Sequence, residues 1–313
     1  MSTCACCGKE GSSDNMNTCN KCKMVKYCNA VCKKVHKKKH KKDCEEHIRL
    51  AAEKRKEELR LAAELHDKQL FKQPPMLEGD CPICFLCLPA MQTGKKYKTC
   101  CGKVICSGCI HAPLYDDKGN IVAGDEKVCP FCRAPTPKSK EEMIEWTKKR
   151  MEAGDARAVY SLGCYYSDGM YGLLQDHTKA LELFHQSGKL DFAQSYSCIG
   201  YEYNNGENLQ RDTKKAIHYY ELAAMGGCEV GRLNLGMIEA RAGNFDRALK
   251  HCMIAIADGN SESLKQIKRM YGYGFATKDD YTKALQSYQA YLDEIKSDQR
   301  DKAAAAREEY RYY

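Results

Sequence analysis

Cysteine and histidine stand in pairs along the front of this chain, at intervals that suit metal chelation. The first series reads Cys4-x2-Cys7-x11-Cys19-x2-Cys22-x5-Cys28-x3-Cys32-x7-His40-x3-Cys44. The second reads Cys81-x2-Cys84-x15-Cys100-Cys101-x4-Cys106-x2-Cys109-x19-Cys129-x2-Cys132. Thiolate and imidazole are soft or borderline donors, and four of them close a tetrahedron around zinc. Each series supplies eight donors, which is enough for two ions, so four Zn2+ are expected. A Cys-x2-Cys pair folds around a metal as a tight knuckle. The i, i+4 pairs Cys28/Cys32 and His40/Cys44 place both side chains on one face of a helix. Closed four-donor sets leave no open coordination position. The expected metal is therefore structural, and no residue reads as a catalytic nucleophile or base.

The distribution of cysteine supports metal over disulfides. Of 21 cysteines, 17 precede residue 133, and only Cys164, Cys198, Cys228 and Cys252 follow. No apolar run follows Met1, and no stretch approaches the roughly 20 apolar residues of a membrane span. The expectation is an intracellular protein, cytoplasmic or nuclear, with no membrane partner. The net charge of +8 lies wholly within residues 1–73. Within "KYCNAVCKKVHKKKHKKDC" (26–44), eight of nineteen residues are lysine, so an acidic partner would be attracted there.

The first series resembles the MYND finger, with all eight ligand positions of that pattern present. The resemblance implies interleaved sets: Cys4, Cys7, Cys28 and Cys32 on one zinc, Cys19, Cys22, His40 and Cys44 on the other. Cys6 and His36 are left over as substitutes. It also implies a short peptide as the finger's partner. The lysines around the ligands read as a solvated helix face whose ammonium groups favour thiolates. Nucleic acid is the weaker reading, because few aromatics are interleaved to stack on bases. So short a unit has little core, and zinc binding, on the order of 10–16 kcal/mol in small fingers, substitutes for it.

The second series resembles a RING finger in CPIC (81–84), in the "ICSGCI" element and in "CPFCR" (129–133). Its cross-brace implies Cys81, Cys84, Cys106 and Cys109 on one ion and Cys100, Cys101, Cys129 and Cys132 on the other. The common Cys-Gly-His is here Cys101-Gly102-Lys103, and a cationic lysine is no ligand. Cys100 takes the missing place, with Cys87 and His111 in reserve. By the same resemblance Ile83 and Pro130 would meet a ubiquitin-conjugating enzyme, and Arg133 would hold the conjugated ubiquitin with its guanidinium fork.

These ligands must be positioned by the elements between and after them. Residues 45–71 contain no Gly or Pro, and RLAAE recurs at 49–53 and 60–64. This predicts one long helix, continuous with the finger, ending before Pro74-Pro75 and acting as a spacer with a thin apolar face. Beyond Ser139, whose spacing to Glu142 predicts a capping box, a repeat appears. Ala180, Ala216, Ala248 and Ala284 are 36, 32 and 36 residues apart, and Gly163, Gly200 and Gly236 mark a second element. Asp176, Asp212, Asn244 and Asp280 are the expected helix N-caps. Two helices per unit of about 36 residues predict an α-solenoid. The pattern resembles Sel1-like repeats, relatives of the tetratricopeptide repeat, whose concave faces hold other proteins.

The expected fold is multidomain: a MYND-type finger (1–44), a charged helical linker (45–73), a RING-type finger (78–135) and an all-α Sel1-like solenoid with a C-terminal capping helix (139–313). The expected function is a zinc-binding adaptor between proteins. The alternative is a RING-type ubiquitin ligase that recruits substrates through the MYND finger and repeats and has no nucleophile of its own. The third is nucleic-acid binding through the lysine-rich helix.

Overall fold

A computed structural model describes residues 2–11, 16–74, 79–90, 93–114 and 128–313. The expected boundaries at residues 1 and 78, and Pro75, lie outside them. The chain divides into two compact units, residues 1–69 and 70–313.

In the first unit, β1 (Ser2–Thr3) pairs antiparallel with β2 (Glu10–Gly11), and β3 (Asn17–Thr18) with β4 (Lys26–Tyr27). Helix α1 runs from Ala30 to Leu70. It starts where the Asn29 Oδ1 accepts the Cys32 N–H at 2.8 Å, satisfying one amide of the open first turn. Straight-chain residues without Gly or Pro sustain it. Arg60 ties Glu57 and Glu64 at 2.5 Å on adjacent turns, such pairs adding a few tenths of a kcal/mol each. The apolar residues Ile48, Leu50, Leu59 and Leu61 are all exposed.

The second unit opens with hairpin β5 (Lys95–Lys98) and β6 (Lys103–Cys106), antiparallel with Lys95 opposite Cys106, followed by the short helix α2 (Ser107–His111). Among the described residues ten further helices follow: α3 (Lys140–Glu152), α4 (Ala156–Asp168), α5 (His177–Lys189), α6 (Ala193–Asn205), α7 (Thr213–Met225), α8 (Glu229–Arg241), α9 (Phe245–Ala257), α10 (Ser261–Gly272), α11 (Lys278–Ile295) and α12 (Asp298–Ala306). Helices α4 to α11 form four hairpins. The repeated alanines Ala180, Ala216, Ala248 and Ala284 are fully buried on the second helix of each. Gly163 and Gly200 let the paired helices close: a Cβ on either would stand 2.7 Å from the ring of Phe184 or Tyr220. Asp176 and Asp212 cap α5 and α7 by accepting the Lys179 and Lys215 N–H groups.

Three capping details differ from the sequence-based expectation. Asn244 stands at the N-cap of α9 without a side-chain bond to the helix, because its amide turns to Glu239. Helix α11 starts earlier than Asp280. Thr277 is its cap, and Thr277 and Asp280 form a reciprocal capping box. Ser139 accepts the Glu142 N–H, but Glu142 reaches back to the Lys138 N–H rather than to Ser139.

The residues that end α1 are seated on the repeats. Leu70 is 1% exposed among Ala216, Tyr220, Ala224 and Leu235. Arg232, also buried, donates to the Leu70 carbonyl at 2.7 Å and the Ala224 carbonyl at 2.8 Å, and reaches the Lys72 carbonyl at 3.4 Å. Phe71 lies on His251, ring centroids 4.6 Å apart, under the cations of Arg247 and Lys250. Gln73 donates to Asp258 Oδ1 at 2.8 Å.

Burial raises the Asp258 carboxyl to about 7; Arg232 opposes the shift, Glu229 adds to it and Gln73 opposes it. A folded-state value above that of the unfolded chain means that the native state favours the protonated acid. The contribution is full below the unfolded value near 4 and is lost as pH rises through 7. Asp258→Asn, which keeps a neutral acceptor for Gln73, is expected to melt above the wild type by a margin that widens between pH 5.5 and pH 7. At pH 8 it should melt at least about 3 °C higher. Parallel thermal melts across that range check this; a constant difference at all pH values contradicts it.

Candidate metal centres

Four groups of side chains converge, with ligand atoms all within 4.8 Å of one another: Cys4, Cys7, Cys28, Cys32; Cys19, Cys22, His40, Cys44; Cys81, Cys84, Cys106, Cys109; and Cys100, Cys101, Cys129, Cys132. A tetrahedron with zinc–sulfur bonds of about 2.3 Å has sulfur–sulfur edges of about 3.8 Å. The observed edges are 3.6 Å for Cys7–Cys28, 3.6 Å for Cys28–Cys32, 3.8 Å for Cys19–Cys44, 3.7 Å for Cys84–Cys106, 3.9 Å for Cys101–Cys129 and 3.4 Å for Cys100–Cys132. The Cys22 sulfur lies 3.1 Å from His40 Nε2. The residues present therefore fit four zinc ions in spacing and in donor chemistry.

The backbone builds four of the five Cys-x2-Cys pairs alike, as knuckles; the fifth, Cys106/Cys109, lies at the start of α2. The N–H four residues after the first cysteine returns to that cysteine's carbonyl: Gly8 to Cys4 at 2.9 Å, Lys23 to Cys19 at 3.0 Å, Phe85 to Cys81 at 2.9 Å and Arg133 to Cys129 at 2.9 Å. To close the turn that residue takes positive φ, 73° at Gly8, 55° at Lys23, 58° at Phe85 and 62° at Arg133. Knuckle N–H groups aim at sulfur. The Cys28 N–H, which comes from the segment before α1, and the knuckle N–H of Cys7 help to draw the Cys4 thiol down to about 6, and the knuckle N–H of Cys22 does the same for Cys19. Burial, with Cys22 and Cys19 alongside, pushes Cys44 up to about 11. Crowded thiols resist joint ionisation, so a full set of thiolates needs a dication among them.

The second donor pair of each set comes from a helix start or a hairpin. Cys28 precedes α1 and Cys32 lies in its first turn, with His40 and Cys44 further along. The His40 ring stacks on His36 at 5.9 Å, and His36 Nδ1 meets the Tyr27 hydroxyl at 3.3 Å, so His36 supports a ligand from outside the set. Cys106 stands at the N-cap position of α2, without a side-chain bond to the helix, and Cys109 lies within it. Cys100 and Cys101 sit at the tip of the β5–β6 hairpin, where the Cys101 and Gly102 N–H groups both return to the Lys98 carbonyl. The Lys103 side chain is exposed. Cys6, Cys87 and His111 lie outside the four groups. Cys87 is buried, and His111 stands edge-on to Tyr310.

Sequence reasoning missed what holds the second finger. Arg300 of α12 is fully buried and donates to the carbonyls of Ile295 at 2.6 Å, Cys87 at 2.8 Å and Leu86 at 3.3 Å, with Cys84 Sγ at 4.0 Å. Gly108 permits this approach, since a Cβ there would stand 2.9 Å from the Arg300 amide nitrogen. On the other side, Tyr97 donates to Asp155 Oδ2 at 2.7 Å, and Asp155 also holds Arg150 at 2.8 Å and caps α4. Burial alone would raise the Asp155 carboxyl, yet the bonds from Tyr97, Arg150 and the Ala158 N–H hold it below its ordinary value. The finger thus touches both the first and the last helices of the repeat region. Of the expected partner residues, Ile83 and Arg133 are exposed. Pro130 and Arg133 line a groove of about 300 Å³ with Ile110, Leu114, Lys98 and Tyr310, and Ile83 is not among its lining residues.

Residues 4–44 match the MYND finger family, and residues 156–192 and 193–228 each match the Sel1 repeat. The chain carries a MYND finger and Sel1 repeats. The MYND match implies zinc for its two ligand groups. A curated relative, "ERAD-associated E3 ubiquitin-protein ligase component HRD3B" of Arabidopsis thaliana, is 27% identical over 113 residues, 36% of this chain and 18% of that protein. A Sel1 repeat protein from Oxalobacter formigenes is 23% identical with a TM-score of 0.44, over 49% of this chain and 64% of its own. The protective antigen c5321 of uropathogenic Escherichia coli, displaying an SLR fold, is 23% identical with a TM-score of 0.40, over 52% and 41%. The chain therefore spans less than a fifth of the curated relative and under two thirds of these solved structures. No helix among the described residues is long and apolar enough to cross a membrane.

Elemental analysis of the purified chain is expected to give four zinc per molecule. Cys100→Ser should lower the count to three, whereas Cys87→Ser should leave four; the reverse pattern would move the ligand to Cys87. Arg300→Met strands the buried carbonyls of Ile295 and Cys87, and its expected cost is about 3 kcal/mol in urea unfolding, with zinc retained in the folded state.

Proposed function

We propose that this protein is a zinc-dependent adaptor that joins two protein partners, one on the MYND finger and one on the body formed by the second finger and the repeats. The single observation that carries the reading is the way this second finger is built into the repeats through Arg300, Tyr97 and Asp155. A finger clamped at both ends of a repeat array presents one continuous rigid surface, as an adaptor requires. The four ligand sets are closed, so zinc here supplies shape and no reaction step. MYND fingers and Sel1 repeats are protein-interaction modules, which supports protein partners over nucleic acid.

A second reading is a ubiquitin ligase, favoured by the exposed Ile83 and Arg133 and by the Pro130 groove. The HRD3B relative, named as a ligase component, points the same way. In that case the chemistry belongs to a conjugating enzyme docked on the finger.

One pair of measurements separates them. Panning the full chain against a short-peptide library is expected to yield ligands whose binding is lost on chelation and restored by zinc. A ubiquitin-chain assay with a panel of conjugating enzymes is expected to stay blank. Chains that disappear with both Ile83→Ala and Arg133→Ala would replace the adaptor with the ligase. Peptide binding that survives complete metal removal would sink the zinc-dependent reading.

A further inference from the structure

The stretch Leu70–Gln73 occupies its seat as a bound peptide would. Its main chain is held by a side chain 162 residues away, the Arg232 guanidinium on the Leu70 carbonyl, with the Lys72 carbonyl at the edge of reach. Its side chains fill separate sites: Leu70 an apolar socket of α7 and α8, Phe71 the imidazole of His251 between two cations, Gln73 the carboxyl of Asp258. Main-chain bonds that anchor and side-chain sockets that select are the two halves of linear-peptide recognition. Arg232 also demands an occupant. It is 1% exposed, and without the segment it would keep only the Ala224 carbonyl at hydrogen-bond distance. A buried cation short of acceptors is costly, so a main chain in the seat is favoured whatever its source.

We infer that the face of α7–α9 is a linear-peptide site that accepts a partner segment of the form Leu-aromatic-x-Gln, and that residues 70–73 fill it in cis. This goes beyond the adaptor reading, because neither finger takes part. Its failure leaves that reading standing. The covalent link gives the internal segment an effective concentration on the order of millimolar, so a free peptide competes poorly until the segment is weakened.

The test uses a fluorescein-labelled peptide of residues 62–74 and the full chain. With Leu70→Ala/Phe71→Ala the labelled peptide should bind saturably, at least about tenfold more tightly than to the wild type. Adding Arg232→Met to that variant should abolish binding, and a scrambled peptide should not bind either. Should the double variant lose its cooperative melt, Phe71→Ala alone carries the same comparison. A folded, zinc-loaded variant that takes up no peptide would show the contact to be fixed internal packing. Equal binding to variant and wild type, or binding indifferent to Arg232, would place the peptide elsewhere. A concentration-dependent dimer of the wild type that exchanges the segment would replace the proposal with self-association.

Discussion

Sulfur atoms at the corners of a tetrahedron repel one another once ionised, and the front of this chain is arranged around that constraint. Four sulfurs within 4.8 Å cannot share a site as thiolates unless a dication stands among them. With the ion, the two sets of the MYND finger would tie together segments that have little apolar core to hold them. The strands of the MYND finger are two residues long, and among its residues few besides ligands are buried, Tyr27 being one. Metal binding and folding are then one event there, and the knuckle backbone is its local consequence. Positive φ at Lys23, Phe85 and Arg133 costs something in a residue with a Cβ. The N–H to carbonyl bond that closes each turn and the metal that the turn serves offset it.

The repeat region depends on a different device. Arg232 and Arg300 are both buried in helices, and each spends its guanidinium on main-chain carbonyls of a segment far away in sequence. A guanidinium fork suits this use, since it presents several donors in one plane and stays charged in every accessible pH range. One arginine fixes the end of α1, the other the first knuckle of the second finger. The finger is consequently no bead on a string: through Arg300 and Asp155 its shape is coupled to the first and last helices of the repeats.

The sequence made ligand spacing and repeat period legible because both are written in local intervals. Which donors share an ion was implied by the two finger resemblances, and a buried alanine every 32 to 36 residues reports a hairpin. The four converging groups are those that the two finger resemblances implied. The coupling arginines were not legible for a physical reason. An arginine one residue from Gly231 or amid "SDQRDKAAAA" has the signature of a surface position, and its carbonyl partners carry no residue identity at all. The start of α11 was missed because Asp280 can serve either as cap or as the third residue of a capping box. Only the threonine three places earlier decides between them. The seating of Leu70–Gln73 had a faint signal: the helix pattern stops at a Leu-Phe pair, more apolar than the charged residues before it.

Closed coordination and buried cations together limit where function can reside. None of the four ligand sets offers a vacant position, and Arg300 is committed to holding the second finger. Besides the seat of residues 70–73, what stays free to meet another molecule is surface: the lysines of α1, the exposed knuckle residues Ile83 and Arg133, and the groove beside Pro130. These surfaces differ in rigidity. Most of the lysines ride on the exposed face of a helix, whereas Arg133 sits on a turn closed by its own N–H bond to the carbonyl of Cys129. A partner that must be held in register would be met by the second kind, because ordering entropy there has already been lost in folding.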